Sequence, residues 1–129
     1  MQRTFYSTAS ALCGLAVILG AFGAHTLKEK LTPELLASFE TGVRYQFYHS
    51  LALLMIALIS KENKNKFIQW AGISFMIGVI FFSGSLYLLS LRDIIGLENY
   101  KWLGPVTPLG GVCFIVGWIF LFIETRKGN

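Results

Sequence analysis

Charged side chains are scarce in this sequence of 129 residues, and the scarcity restricts the class of protein that the chain can form. Asp, Glu, Lys and Arg make up 14% of the chain, whereas a typical soluble domain contains about 25%. Hydrophobic residues make up 54%, and the mean hydropathy is +0.60. A soluble fold of this length could not bury so much apolar surface, so we expect the chain to lie in a lipid bilayer.

Cysteine and histidine are also rare, with two residues of each. Cys13 and Cys113 lie inside apolar runs, where a cysteine most often acts as a small hydrophobic side chain. We expect His25 and His49 at different depths of the membrane, so these four side chains do not compose a metal site. We therefore predict that the protein holds no metal and no other cofactor.

The sequence lacks the common motifs of catalysis and of nucleic-acid binding. It contains no G-x-S-x-G, H-E-x-x-H, C-x-x-C or Walker A pattern, and GAFGAH at 20–25 is not a dinucleotide-binding loop. The formal net charge is +4, but the 11 lysines and arginines are scattered among apolar runs without forming a basic stripe. We therefore predict a protein that is not an enzyme and does not bind nucleic acid.

What the sequence does contain is a set of long apolar runs, each close to the about 20 residues that cross a bilayer as a helix. The runs comprise residues 5–24, 43–60, 67–91 and 106–123. They predict an all-α fold, a four-transmembrane-helix bundle that forms a single integral membrane domain over residues 1–129.

The connection between the first two spans contains the pattern of a helix start. Thr32 suits the N-cap, Pro33 the first helical position and Glu34 the first turn, and apolar residues then recur at helical spacing. We expect a short amphipathic interfacial helix between spans 1 and 2, either separate from the second span or continuous with it. By the same pattern, we expect Thr107 to cap the fourth span and Pro108 to begin it.

An even number of spans places both termini on the same side of the membrane. That side also carries the lysine-rich turn KENKNK at 61–66, and positive charge in short loops is typical of the cytoplasmic side. We therefore predict a multi-pass protein of the plasma (cell) membrane with both termini in the cytoplasm.

Small residues recur at four-residue spacing in the first and third spans, where they allow helix backbones to approach closely. This spacing predicts helix packing, either within one bundle or between two copies of the chain. The positions at this spacing are Ala16, Gly20, Ala24, Ser74 and Gly78, and Gly84 is a further predicted packing residue outside the strict spacing.

Polar side chains are concentrated in one half of the membrane region, which is the outer half in the predicted orientation. An ionisable side chain inside a membrane indicates a functional site, because burial of its charge is costly, and the alternative is a structural hydrogen-bonded cluster. Antiparallel packing of the first two spans predicts that His25, Arg44 and His49 join in one site at the outer mouth of the bundle. The candidate ligand- or partner-binding residues are His25, Arg44, Tyr45, Gln46, His49, Ser83, Ser85, Tyr87 and Thr107.

Four ordered segments resemble a known family over nearly the whole chain. They are GAFGAH at 20–25, FETGVRYQFYHSLALL at 39–54, FSGSLYLL at 82–89 and GPVTPLGG at 104–111. The resemblance is to the domain of unknown function family 423, which includes the transmembrane protein 256-like proteins, and the lysine-rich inner turn favours a bacterial member. It implies an integral membrane protein of four helices, and the family has no established activity whose catalytic residues could be transferred.

Two functions stay open on the sequence alone. The lack of catalytic motifs, the amphipathic helix and the small-residue faces favour an accessory or scaffolding protein that binds membrane lipids, another membrane protein or itself in a homo-oligomer. The alternative is a small transporter or a proton-linked permease. That alternative requires an oligomer, because four spans leave little room for a translocation path within one chain.

Overall fold

The computed structural model describes residues 1–127, which form four long helices and contain no strand. Helix α1 comprises Gln2–Lys30, α2 Pro33–Ile59, α3 Lys66–Ile95 and α4 Leu103–Lys127. Each helix is long and apolar enough to cross a membrane. The predicted all-α fold with four membrane-spanning helices is therefore confirmed, and every helix is longer than the apolar run that predicted it.

The second helix is the central one. In α2, 44% of the most apolar window is buried, against 17% in α1 and in α4. One side of α2 packs along α1 and the other along α3, and α4 packs along α3. Helices that follow each other in the chain are therefore the main neighbours in the bundle, while α1 and α4 leave most of their apolar surface exposed for lipid to cover.

The start of α2 agrees with its sequence pattern. Thr32 is extended, its Oγ1 accepts the backbone N–H of Leu35 at 3.3 Å, and Pro33 occupies the first helical position. From Pro33 the helix continues without interruption to Ile59. The predicted amphipathic helix is thus the first part of α2, so the continuous form of that prediction is the one the structure adopts.

The start of α4 differs from the prediction. The helix begins at Leu103, so the expected cap at Thr107 and the expected first position at Pro108 are both wrong. The first N–H groups of a helix have no partner within it, so Pro105 removes no hydrogen bond there. Pro108 removes only the bond to the Gly104 carbonyl, which a helix can tolerate so close to its end.

Some of the predicted small residues pack helices together inside the bundle. Ala16 is buried in α1, and a Cβ added at Gly20 would lie 3.4 Å from Cγ1 of Val43 in α2. In α3, Gly78 lies directly against the ring of Phe114 from α4, where a Cβ would overlap the ring. These three positions support packing within one chain.

The other predicted small residues are not enclosed in the same way. Ala24 is exposed and Ser74 is half-buried. A Cβ added at Gly84 would have open space around it, with no atom of another element within 4 Å. Gly84 is therefore available to a molecule outside the bundle.

Candidate functional site

Gln46 in α2 connects three helices through one side-chain amide. Its Nε2 donates to the carbonyl of Leu12 in α1 at 2.8 Å, and its Oε1 accepts the hydroxyl of Tyr87 in α3 at 2.6 Å. Gln46 is only 2% exposed, so protein groups supply the hydrogen bonds that water would form with an exposed amide. The position of α2 between α1 and α3 makes this bridge possible.

Three serine and threonine hydroxyls link the helices in the outer half of the bundle. The hydroxyl of Ser83 donates to the backbone carbonyl of Gly42 at 2.7 Å, and Ser85 shares a hydrogen bond with Thr107 of α4. Ser83 ends a π-helical turn, Val79–Ser83, within α3. Such turns often lie at functional sites, and here the turn lies at the level where α3 contacts both α2 and α4.

The hydrogen bonds of His49 define the protonation state of its ring. Nδ1 lies 2.8 Å from the carbonyl of Tyr45, and Nε2 lies 3.1 Å from the indole Nε1 of Trp118. An indole N–H can only donate, so Nε2 accepts that bond, and Nδ1 carries the proton that is donated to Tyr45. His49 is therefore a neutral imidazole with both nitrogens paired.

Aromatic rings enclose this imidazole. The ring of Phe114 stacks on it with centroids 3.6 Å apart and an interplanar angle of 11°, and Phe75 contacts it edge-on at 5.2 Å. Only 6% of His49 is exposed. The surroundings are those of a structural core histidine rather than those of a ring open to a ligand.

His49 lies near mid-depth of the membrane region instead of at its mouth. The ring of Phe39 lies against Gly23, where the apolar run of α1 ends, so this level marks the outer boundary. His49 follows Phe39 by ten residues, about 15 Å at 1.5 Å per residue, and that is half of the about 30 Å of hydrocarbon. The depth differs from the predicted one because the membrane-spanning part of α2 begins before residue 43.

The structure does not join His25, Arg44 and His49 in one site. Arg44 is exposed on the side of α2 next to α1, about 140° around the helix from His49. Its Nη2 donates to Oγ1 of Thr41 at 3.2 Å, toward the outer end of the helix. His25 is exposed in the π-helical turn Gly23–Leu27 near the end of α1. Three separate environments replace the single polar site that the sequence predicted.

Tyr45 and Tyr87, two further predicted site residues, pack between α2 and α3. Tyr45 is 39% exposed and packs on Phe82, with ring centroids 4.7 Å apart. Gly42 has the ring of Tyr87 beside it, and an added Cβ would lie 2.9 Å from Cε1 of that ring. The tyrosine can reach Gln46 because position 42 has no side chain.

Sequence reasoning missed Trp118, which supplies the hydrogen bond to His49. Trp118 belongs to an apolar run in which a tryptophan resembles any other large hydrophobic residue. The one available indication is its indole N–H, which usually finds a partner when a tryptophan lies away from water. Within residues 1–127, no three His, Cys, Asp or Glu side chains converge in a way that could hold a metal ion.

An apolar groove of about 660 Å³ lies on the outer half of the bundle between α3 and α4. Gly84 lies in one wall, and Trp102, which is 56% exposed, lies at the outer end. The full lining comprises Ile80, Phe81, Gly84, Ser85, Tyr87, Leu88, Trp102, Leu103, Val106 and Leu109. We call this feature the α3–α4 groove.

Comparison with known proteins places the chain among bacterial membrane proteins. A family model described as "Protein of unknown function (DUF423)" matches residues 19–111. A UPF0382 membrane protein of Staphylococcus aureus is 49% identical over 113 residues, which cover 88% of this chain and 87% of the relative. No solved structure matches the chain.

Two further relatives show the same extent of similarity. A UPF0382 membrane protein of Staphylococcus haemolyticus is 45% identical over 118 residues, covering 91% of each chain. The UPF0382 membrane protein YwdK of Bacillus subtilis is 42% identical over 114 residues, covering 88% of each chain.

Proposed function

We propose that this chain, which belongs to the DUF423 family and is a membrane protein, is a non-enzymatic accessory protein of the bacterial plasma membrane. Its role in this proposal is to bind a transmembrane helix of another membrane protein. The observation that carries the proposal is the α3–α4 groove. It is an apolar surface with a glycine, Gly84, in its wall, and a Cβ added there would have open space around it.

The interior of the bundle supports a role at its surface. Both nitrogens of His49 and both ends of the Gln46 amide have hydrogen-bond partners inside the protein. Ser85 and Thr107 are paired with each other. These polar groups stabilise contacts between helices, and no reactive side chain among them is left free to act on a substrate.

The shape of the groove suits a helix. Ile80, Gly84 and Leu88 line one wall at four-residue spacing and so form a stripe along α3 of about 12 Å. A glycine between two larger side chains lets the backbone of a neighbouring helix approach closely, and close packing is what favours helix association in lipid. A thin acyl chain would gain little from that approach, so we favour a helix as the occupant.

A small oligomeric transporter or proton-linked permease has less support. A proton path through the membrane needs a titratable group that exchanges its proton with water. The candidate is His49, which lies near mid-depth, but aromatic rings enclose it and both ring nitrogens are paired. Proton exchange would require the Trp118 hydrogen bond to break.

The test uses photo-crosslinking in native membranes. A benzophenone amino acid replaces Leu88 in the groove, which is 41% exposed, or Leu15 on α1, which is 45% exposed. We expect one discrete protein adduct from position 88 and none from position 15. Gly84→Leu should abolish the adduct by filling the groove, whereas Gly14→Leu should not, although Gly14 also has no neighbour within 4 Å.

The composition of the adduct distinguishes the possible occupants. A partner adduct that depends on Gly84 supports the proposal. An adduct with the mass of two 14.4 kDa chains would show that the groove binds a second copy instead. Lipid adducts alone, or a protein adduct that survives Gly84→Leu, would contradict the proposal.

A further inference from the structure

We propose that a basic cleft at the inner end of the bundle binds the phosphate group of an anionic membrane lipid. The inner end is the end where α1 begins, the turn between α2 and α3 lies, and α4 ends. A cleft of about 340 Å³ opens there, and we call it the basic cleft. Its lining residues are Met1, Gln2, Arg3, Ser60, Lys64 and Gln69.

Packing of the first turn of α1 determines where Arg3 lies. Phe5 is only 1% exposed, and its ring lies against Gly72 of α3, where an added Cβ would be 2.6 Å from Cζ. The start of α1 is therefore held against α3. Arg3, two residues before Phe5, consequently lies beside the half-buried Gln69 at the rim of the basic cleft.

Hydrogen bonds on both sides of Lys64 hold the turn that carries it. Asn63 Nδ2 donates to Glu124 Oε1 of α4 at 2.8 Å, which attaches the turn to the last helix. Asn65 Oδ1 accepts the backbone N–H of Phe67 at 2.9 Å and so caps α3. The backbone at Lys64 is thus defined by its neighbours, and Lys64 lines the same cleft as Arg3.

The charges in the basic cleft favour an anion. Its lining contains two cationic side chains and no acidic one. Glu62 is exposed in the same turn, and Glu124 accepts the bond from Asn63. An anion between the two cations would relieve their mutual repulsion.

The depth of the basic cleft favours a lipid phosphate over a soluble one. Phe5 is the first residue of the apolar run in α1, and Ile59 is the last residue of α2, so the cleft lies where the hydrocarbon region ends. Arg3 also lines a second cleft that follows α1 to Tyr6 and Ser7. A lipid whose phosphate contacts Arg3 could therefore lay an acyl chain along α1. A free phosphate ion has the same charge chemistry but lacks this apolar contact.

The test measures thermal unfolding of the full chain in a non-ionic detergent. Dioleoylphosphatidylglycerol, dioleoylphosphatidylcholine or inorganic phosphate is added, and the shift of the melting temperature is recorded. A ligand that binds only the folded state raises this temperature, so we expect phosphatidylglycerol to raise it by several degrees more than the other two. An equal shift with inorganic phosphate would point to a soluble anion and contradict the lipid assignment.

A matched pair of variants separates the basic cleft from general surface charge. Arg3→Gln with Lys64→Gln should reduce the phosphatidylglycerol shift to the phosphatidylcholine level. Lys61→Gln with Arg126→Gln removes the same two residue types at the same end but outside the lining, and should leave the shift unchanged. Equal losses in both pairs, or no loss in the first pair, would overturn the proposal.

A charge-conserving variant covers the case in which the first pair does not fold. Arg3→Lys keeps the positive charge but replaces a planar fork of donors with a single ammonium group, which cannot bind a phosphate through two parallel hydrogen bonds. We expect this variant to retain part of the phosphatidylglycerol shift. A completely unchanged shift would show that Arg3 does not contact the phosphate.

Discussion

At the scale of single residues, Gln46 shows how a polar side chain can belong in an apolar helix. Its amide has one donor group bonded to α1 and one acceptor bonded to α3. Interhelical hydrogen bonds in membranes contribute only about 0.6 kcal/mol on average and at most about 1.7 kcal/mol. The main effect of this pair of bonds is therefore orientational, because it fixes which faces of α1 and α3 turn toward α2.

A double-mutant cycle tests this bridge. Tyr87→Phe should lower the free energy of unfolding by about 0.6–1.7 kcal/mol, and Gln46→Leu should lower it more because two bonds are lost. The double variant should lose less than the sum, since the two residues share a bond. The measurement is denaturant unfolding in detergent, with Tyr48→Phe as a control because Tyr48 is 55% exposed. Strict additivity would contradict direct coupling between Gln46 and Tyr87.

At the scale of helices, the contact between α3 and α4 depends on a glycine that meets a π-helical turn. Gly110 of α4 lies against the backbone of Phe82, and Phe82 is part of the turn Val79–Ser83. A Cβ at position 110 would overlap the backbone nitrogen of Phe82, which cannot rotate away as a side chain could. The two helices can approach this closely only because position 110 has no side chain.

Alanine substitutions at two glycines test this contact. Gly110→Ala should separate α3 from α4, and we expect a loss of at least about 1–3 kcal/mol, the usual range for overpacking, because backbone has to move. Gly84→Ala is the matched control, since its added methyl group meets no atom within 4 Å. Thermal unfolding of both variants in detergent measures the difference. Similar stability in the two variants would show that α3 and α4 are not in close contact at Gly110.

At the scale of the whole molecule, three parts of the chain meet at the inner end of the bundle. The ring of Phe5 from the start of α1 packs on Gly72, and Asn63 in the turn bonds Glu124 near the end of α4. Both termini of the described chain and the lysine-rich turn therefore share one side of the membrane. Our assignment of that side to the cytoplasm rests on the positive charge of the turn.

Cysteine labelling tests the orientation. In a background with Cys13→Ala and Cys113→Ala, single cysteines replace Glu62 or Asn99, which are exposed at opposite ends of the bundle. A membrane-impermeant maleimide should label position 99 in intact cells and position 62 only after permeabilisation. Labelling of position 62 in intact cells would reverse the orientation and place the basic cleft on the outer surface.

The sequence by itself determined the features that depend on local composition. Apolar runs of sufficient length predict helices wherever they occur in a bilayer, because the backbone must satisfy its own hydrogen bonds there. The start of α2 was also predictable, since Thr32 and Pro33 act within one turn of the helix. The start of α4 was not, because Thr107 has the residue type of a cap but uses its hydroxyl for Ser85 on another helix.

Only the tertiary structure decided which polar side chains meet. His49 and Trp118 are 69 residues apart in the chain, and Gln46 lies 34 residues from Leu12 and 41 from Tyr87. Each contact depends on the rotation of two helices about their axes and on their relative depth. Hydropathy does not specify that rotation closely enough to identify the partner of each polar side chain. The rotation is set by rings that fit beside glycines, as Phe114 does at Gly78, and by the hydrogen bonds that become possible once the helices are in contact.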